Sequence, residues 1–275
     1  MRLAVYQGPG ASGDVPGNLA IIRGAAASAA AEGARLVVFP ELFTTGYNLG
    51  ARLRELAEPL SGPSLHAIGA AAADAGLAIL TGFCERDGKR LFNSAVLVER
   101  DGSLGTVHRK CHLFGSMEGA LFAPGDTLAV VEFDRLRIGI PICYDIEFPE
   151  AVRALALAGA ELVAVPTTLM APNDLIARAM VPARAAENQV FVAYANRTGG
   201  EGDLAYIGQS CIVGPDGADL ARASHDEEEL LLADLDPAVI TRARSAYCYL
   251  GERRPELCVP LTRTSNPPAR RAGMA

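Results

Sequence analysis

The sequence predicts an α/β fold with mixed sheets, and three observations carry that prediction. Short apolar runs alternate with alanine-rich helical segments: a strand over 3–7, a helix near 17–32, a strand over 36–39 and a helix near 64–75. The runs 77–84, 91–99 and 103–108 are then separated by Asp87-Gly88 and Asp101-Gly102, dipeptides that favour tight hairpins and so place antiparallel strands beside the parallel ones. The alternation resumes with an apolar stretch over 127–142, a helix over 149–158, a strand over 162–165, a helix near 174–187 and a strand over 190–195. Strands over 208–213 and 229–235 follow, with Pro215-Asp216-Gly217 as the turn between them and a short helix after Asp236.

At 275 residues, half of them hydrophobic, the chain is long enough for one large core, expected over 1–265. Residues 266–275, rich in proline, arginine and small side chains, read as a loose or subunit-contacting tail. A net charge of -7 without a lysine-arginine block argues against nucleic acid and membrane surfaces as partners, which leaves a small molecule. Met1-Arg2 runs directly into the first strand and leaves no room for a secretory leader, so a cytoplasmic location is expected. The apolar stretch 151–171 carries Arg153 and Glu161 and is cut by Pro166, against a membrane span. Six cysteines are then expected as free thiols, with Cys84 and Cys211 as small core residues.

Three apolar strands end alike: Val38-Phe39-Pro40 before Glu41, Gly139-Ile140-Pro141 ahead of Cys143, and Ala164-Val165-Pro166 before Thr167 and Thr168. Proline lacks the N–H that a central ladder needs, so each should stop its strand and turn the next residues into a loop at the carboxyl edge, where α/β sheets bind ligands. A carboxylate, a thiol and two hydroxyls thus share one rim. In His108-Arg109-Lys110-Cys111-His112, strand alternation places Lys110 on the face of the two histidines and turns Arg109 and Cys111 away. Taken singly, Glu41 could be a solvated loop residue, Lys110 a surface ion-pair partner and Cys143 an inert buried thiol.

Jointly they read differently. Pro40-Glu41-Leu42-Phe43, then Arg109-Lys110-Cys111-His112-Leu113-Phe114 with Glu118 and Pro124-Gly125-Asp126, then Ile142-Cys143-Tyr144-Asp145 with Phe148-Pro149-Glu150 resemble the nitrilase superfamily of carbon-nitrogen hydrolases. Arg184-Ala185-Ala186-Glu187-Asn188 and Ala195-Asn196-Arg197-Thr198-Gly199 extend the resemblance over nearly the whole chain. The likeness implies Glu41 as general base, Lys110 as cationic stabiliser, Cys143 as nucleophile and Glu118 as a second, substrate-positioning carboxylate. It also implies a four-layer α-β-β-α sandwich, assembled into dimers or higher homo-oligomers. A catalytically inactive relative acting as a binding subunit is the alternative outside enzymes, and the presence of Glu41, Lys110 and Cys143 together disfavours it.

The implied chemistry is hydrolysis of small, primary carboxamides through a cysteine thioester, which divides one difficult displacement into two easier ones. Burial should raise the Glu41 carboxyl while the Lys110 ammonium favours thiolate, narrowing the gap between base and nucleophile. Lys110 and the Tyr144 N–H can receive an oxyanion. Tyr47, Thr167 and Tyr206 are candidate pocket residues, although ordinary half-buried aromatics would explain the tyrosines equally. Tyr144-Asp145 follows the nucleophile where nitrile hydrolases of this superfamily usually carry tryptophan-glutamate, so an amide substrate is favoured; N-carbamoyl compounds and nitriles remain the alternatives. No cofactor is expected, and no metal: alternation opposes Cys111 to His108 and His112, and no second cysteine-histidine pair completes a tetrahedral set. A serine triad has no Gly-x-Ser-x-Gly elbow to stand on.

Overall fold

The computed structural model describes residues 1–257. In chain order the elements are β1 (Arg2–Gln7), α1 (Val15–Ala31), β2 (Leu36–Val38), α2 (Leu53–Leu56), α3 (Pro63–Ala75), β3 (Ala78–Asp87), β4 (Arg90–Val98), β5 (Leu104–Arg109) and α4 (Gly115–Leu121). The second half contains β6 (Ala129–Phe133), β7 (Leu136–Ile140), α5 (Pro149–Leu157), β8 (Leu162–Pro166), α6 (Val181–Asn188), β9 (Phe191–Ala195), β10 (Gly200–Glu201), β11 (Leu204–Ala205), β12 (Cys211–Val213), β13 (Asp219–Arg222), β14 (Glu229–Asp234) and α7 (Pro237–Ala246).

Two six-stranded mixed sheets form, ordered β14-β1-β2-β3-β4-β5 and β13-β12-β9-β8-β7-β6. Each has three parallel strands, β1-β2-β3 or β7-β8-β9, flanked by antiparallel neighbours. Read from β5 to β14 and from β13 to β6, the two sheets have the same sequence of strand directions.

Period-two alternation sorts the side chains into layers. Leu3, Val5, Leu36 and Val38 face Ile138, Ile140, Leu162 and Ala164 across the space between the sheets. Ala4, Tyr6, Val37 and Phe39 turn outward onto α1 and α3. On the other side Val163, Val165 and Val192 pack against residues of α5 and α6. The chain is therefore the expected four-layer α-β-β-α sandwich, with apolar burial contributing about 1.5–3 kcal/mol for each large aliphatic side chain. Helix starts follow sequence signals: Asp14 caps α1 by accepting from the Gly17 N–H at 3.1 Å, and Asp236 caps α7 through the Ala238 N–H at 3.0 Å.

Three local expectations change. The stretch 127–142 is a hairpin, reversed at Asp134, whose φ is +53°. The helix expected over 174–187 begins as a π-helical turn, Ile176–Met180, before α6. Pro215-Asp216-Gly217 joins β12 to the short strand β13, and β14 crosses to the first sheet, where it pairs with β1. A four-residue strand with only Leu220 and Ala221 apolar lacks the longer apolar run that announces the others. The tail expected over 266–275 lies outside the described residues. Cys84 and Cys211 are buried thiols as anticipated. Among the described residues no helix is long and apolar enough to cross a membrane.

Candidate active site

Glu41 is delivered by the turn that ends β2. The Gly82 N–H donates to Pro40 O at 3.0 Å, and a side chain at Gly82 would collide with the Glu41–Leu42 backbone, so only glycine lets the turn press this close to β3. The Glu41 carboxylate is sealed from solvent and fully engaged. Its Oε1 accepts from Lys110 Nζ and Asn93 Nδ2, each at 2.7 Å, and its Oε2 from Thr168 Oγ1 at 2.5 Å.

Lys110 follows the end of β5, and its backbone N–H donates to Asn93 O at 2.8 Å, so Asn93 on β4 registers both the lysine and the carboxylate. Lys110 Nζ also donates to Glu118 Oε1 at 2.7 Å. Glu118, on α4, further accepts from Tyr47 Oη at 2.7 Å and from the Phe114 N–H at 2.9 Å. One ammonium thus lies between two carboxylates in a dry setting. Burial alone would lower the Lys110 pKa, but Glu41 and Glu118 override it and hold the ammonium well above its usual value. For Glu118, burial and the Glu41 charge outweigh Lys110 and push the carboxyl up.

Cys143 opens the 3₁₀ turn Cys143–Glu147 immediately beyond β7, with φ at +45°, a region that costs a non-glycine residue about 1–3 kcal/mol. The strained turn is tied at both ends. Asp145 accepts from the Ile142 N–H at 3.0 Å and the His112 N–H at 2.8 Å, with His112 Nδ1 at 2.7 Å and His108 Nε2 at 3.4 Å. Arg184 donates to Ile146 O at 3.0 Å and Glu147 O at 2.8 Å. Burial would raise the Asp145 carboxyl, but hydrogen bonds from His108, His112 and the Ile142 N–H hold it below the usual carboxylate range.

The thiol departs from expectation. Burial and the Glu41 charge push Cys143 well above the ordinary thiol range, and Lys110, the Thr167 hydroxyl and the Thr168 N–H only partly offset them. Lysine does not win because two carboxylates already share its charge. The raised thiol favours its neutral form at rest, and Cys143 is half-buried while Glu41, Lys110 and Glu118 are closed off.

The remaining candidates divide. Tyr47 reaches the charged cluster through Glu118, and Thr167 Oγ1 lies against the thiol while donating to Tyr194 Oη at 3.1 Å. It is Thr168, beside it, that binds the Glu41 carboxylate. Tyr144 packs edge-on against Phe114 and Phe148, at centroid distances of 5.3 and 4.9 Å. Tyr206 shares a buried cluster with Tyr47, but its hydroxyl donates to Glu201 Oε2 at 2.6 Å. Both histidines turn to Asp145, whereas the Cys111 sulfur faces the carbonyls of Arg109 and Thr127. Asn93, Asp145 as an anchor, and Glu201 escaped the sequence reading: Asn93 interrupts an apolar strand, the one weak signal available.

The model of the carbon-nitrogen hydrolase family matches residues 2–245. This chain belongs to that family. Among carbon-nitrogen hydrolases it is similar to a hydrolase encoded in the pqqF 5' region of Pseudomonas protegens, with 46% identity over 94% of this chain and 90% of that one. It is 39% identical to an (R)-stereoselective amidase of a Pseudomonas species, over 98% and 97% of the two chains. An amidase from Nesterenkonia sp. has the same fold at TM-score 0.87 and 34% identity, covering 95% of this chain and 96% of that one. In one variant of that amidase the acetamide moiety of fluoroacetamide is covalently added at the active site cysteine. The chain is thus an enzyme for carbon-nitrogen bonds, with amidases among its relatives.

Proposed function

We propose that the protein hydrolyses small primary carboxamides to a carboxylic acid and ammonia, with Cys143 as nucleophile, Glu41 as general base and acid, and Lys110 as the oxyanion's cation. The observation that carries this reading is the Glu41–Lys110–Glu118 array at 2.7 Å spacings beside one half-buried thiol. The amidase relatives support the same substrate class.

The carbonyl carbon is attacked by sulfur as Glu41 takes the thiol proton; a neutral resting thiol requires that transfer to accompany attack. The S–C bond forms and the carbonyl π electrons move to oxygen, where Lys110 and the Tyr144 N–H receive the charge. Such a donor is worth about 3 kcal/mol in the barrier. Glu41 passes its proton to nitrogen, the C–N bond breaks and ammonia leaves an acyl thioester. Water, deprotonated by Glu41, adds to the thioester; the C–S bond breaks and the thiolate recovers the proton from Glu41.

The array also favours an amide over a nitrile. Glu41 and Glu118 each keep a lone pair beyond their protein donors, to which an amide offers an N–H group and a nitrile offers none. The test is ammonia release from a carboxamide, its nitrile and an N-carbamoyl analogue of matched size. The amide should lead in kcat/KM, and a preference of about tenfold or more for either competitor sinks the assignment.

A further inference from the structure

Behind the charged array lies a second buried ion pair with no part in the chemistry above. Glu201, on β10, is 3% exposed and Arg197 2% exposed, with Arg197 Nη1 3.5 Å from Glu201 Oε2. The Glu201 carboxylate reaches across to the loop that follows Glu41. It accepts from the Tyr47 N–H at 2.9 Å, the Asn48 N–H at 2.8 Å and Ser12 Oγ at 2.7 Å, while Tyr206 Oη donates to it at 2.6 Å. The Asn48 side chain returns a bond to Glu201 O at 3.0 Å. Gly46, at φ +96°, completes the cradle: any Cβ there would occupy the place of the Glu201 carboxylate.

Two tyrosines are therefore fixed by one carboxylate, Tyr47 through its backbone and Tyr206 through its hydroxyl. Their rings belong to a single buried cluster with Leu42, Leu113 and Met170, and the Tyr47 hydroxyl ends on Glu118. A carboxylate can hold both because its two oxygens offer about four lone-pair sites. Asn or Gln, with one acceptor oxygen, cannot satisfy two backbone N–H groups and a phenol together. Burial would raise the Glu201 carboxyl, but Arg197 and the donors around it keep it below its ordinary value, so it is charged and acceptor-only at neutral pH.

We propose that Glu201 is a positioning residue: by fixing Tyr47 and Tyr206, neighbours in one buried cluster beside Glu118, it sets the walls that meet the acyl group and so determines how large an amide the site accepts. This rests on the amide reading above. Arg197 fixes the carboxylate, the carboxylate fixes the walls, and the walls meet the substrate.

The test compares wild type with Glu201→Gln and Tyr206→Phe on acetamide and butyramide, with circular dichroism reporting the folded fraction. Glu201→Gln should change the butyramide-to-acetamide ratio of kcat/KM by about tenfold or more, the scale of misplacing a wall by one methylene, and the change should reside in KM. Tyr206→Phe, which removes one of the fixed hydroxyls, should shift the ratio in the same direction by less. Equal losses on both amides, tracking the folded fraction, would show a purely structural residue and overturn the proposal, as would an unchanged ratio. Alkylation of Cys143 by iodoacetamide and by 2-iodobutanamide, followed by mass spectrometry, reads the same walls without turnover. A wild type that releases no ammonia from any amide removes the function proposed above, while the ratio of the two alkylation rates still decides the role of Glu201.

Discussion

Lys110 Nζ lies 2.7 Å from Glu41 Oε1, and neither side chain has any solvent exposure. Removing the ammonium leaves Glu41 and Glu118 facing one another in a dry pocket. Lys110→Met should lower kcat at least about 100-fold through the lost oxyanion partner. It should also destabilise the fold at pH 7 by about 3–5 kcal/mol, the scale for breaking a buried ion pair. Glu118 is already raised by burial and loses the lowering influence of Lys110 in the variant, so the folded state binds more protons and stability returns as pH falls. Thermal melts at about pH 7 and about pH 5 check this, and a deficit against wild type as large at pH 5 as at pH 7 would contradict it.

Cys143→Ala should abolish turnover and leave the melting temperature close to wild type, because the thiol is proposed to perform chemistry and is only half-buried. Since burial and Glu41 push the thiol above its ordinary value of about 8.5, iodoacetamide labelling should still accelerate with pH beyond that point. Peptide mapping of the alkylated site at a series of pH values measures it. Full labelling of Cys143 with retained turnover rejects a cysteine mechanism.

Asp145→Asn should cost several-fold in kcat and about 3 kcal/mol in stability, because the Ile142 and His112 N–H groups lose a charged acceptor and the Cys143 turn loses its anchor. The sign of the pH dependence follows from the depressed carboxyl. Its contribution is fully present above the unfolded aspartate value of about 3.9 and disappears as pH falls through the lower folded value. Urea unfolding at pH values below about 4 should therefore show a shallower acid loss in Asp145→Asn than in wild type. Equal slopes would mean that Asp145 is not the anchor.

A homo-oligomer built from dimers is expected in solution. Leu157, Leu175 and Tyr247 are at least half exposed, a cost for a monomer that association would relieve. Light scattering at micromolar protein decides, and an active, strictly monomeric species counts against this assembly.

The sequence exposed the proposed reacting groups because they follow apolar strands stopped by proline, as Glu41 and Cys143 do. Lys110 was legible through alternation with His108. Their supporting partners were not legible, for a physical reason: Asn93 meets Glu41, Thr168 meets Glu41, and Glu201 meets Tyr47 across sequence separations of 52, 127 and 154 residues. Such pairings are fixed by strand order and register, which local patterning does not specify. The same limit hid the passage of β14 to the first sheet. Charge balance was misjudged for Cys143, since one lysine shared by two carboxylates cannot also acidify a buried thiol.

The proposed base and the proposed nucleophile arrive on different sheets. Glu41, Asn93 and Lys110 belong to the first sheet and its edges, whereas Cys143, Thr167 and Thr168 follow strands of the second. A single backbone bond, from the Glu41 N–H to Thr167 O at 3.3 Å, links the two sets at the rim. The aliphatic layer between the sheets consequently acts as a gauge block for proton transfer: its thickness fixes how far Glu41 stands from sulfur. Residues such as Val38 and Ile140, which touch no substrate, then belong to the tolerances of the reaction as much as to the fold. A methylene trimmed from that layer would be read first as a slower proton hop and only afterwards as a lower melting temperature.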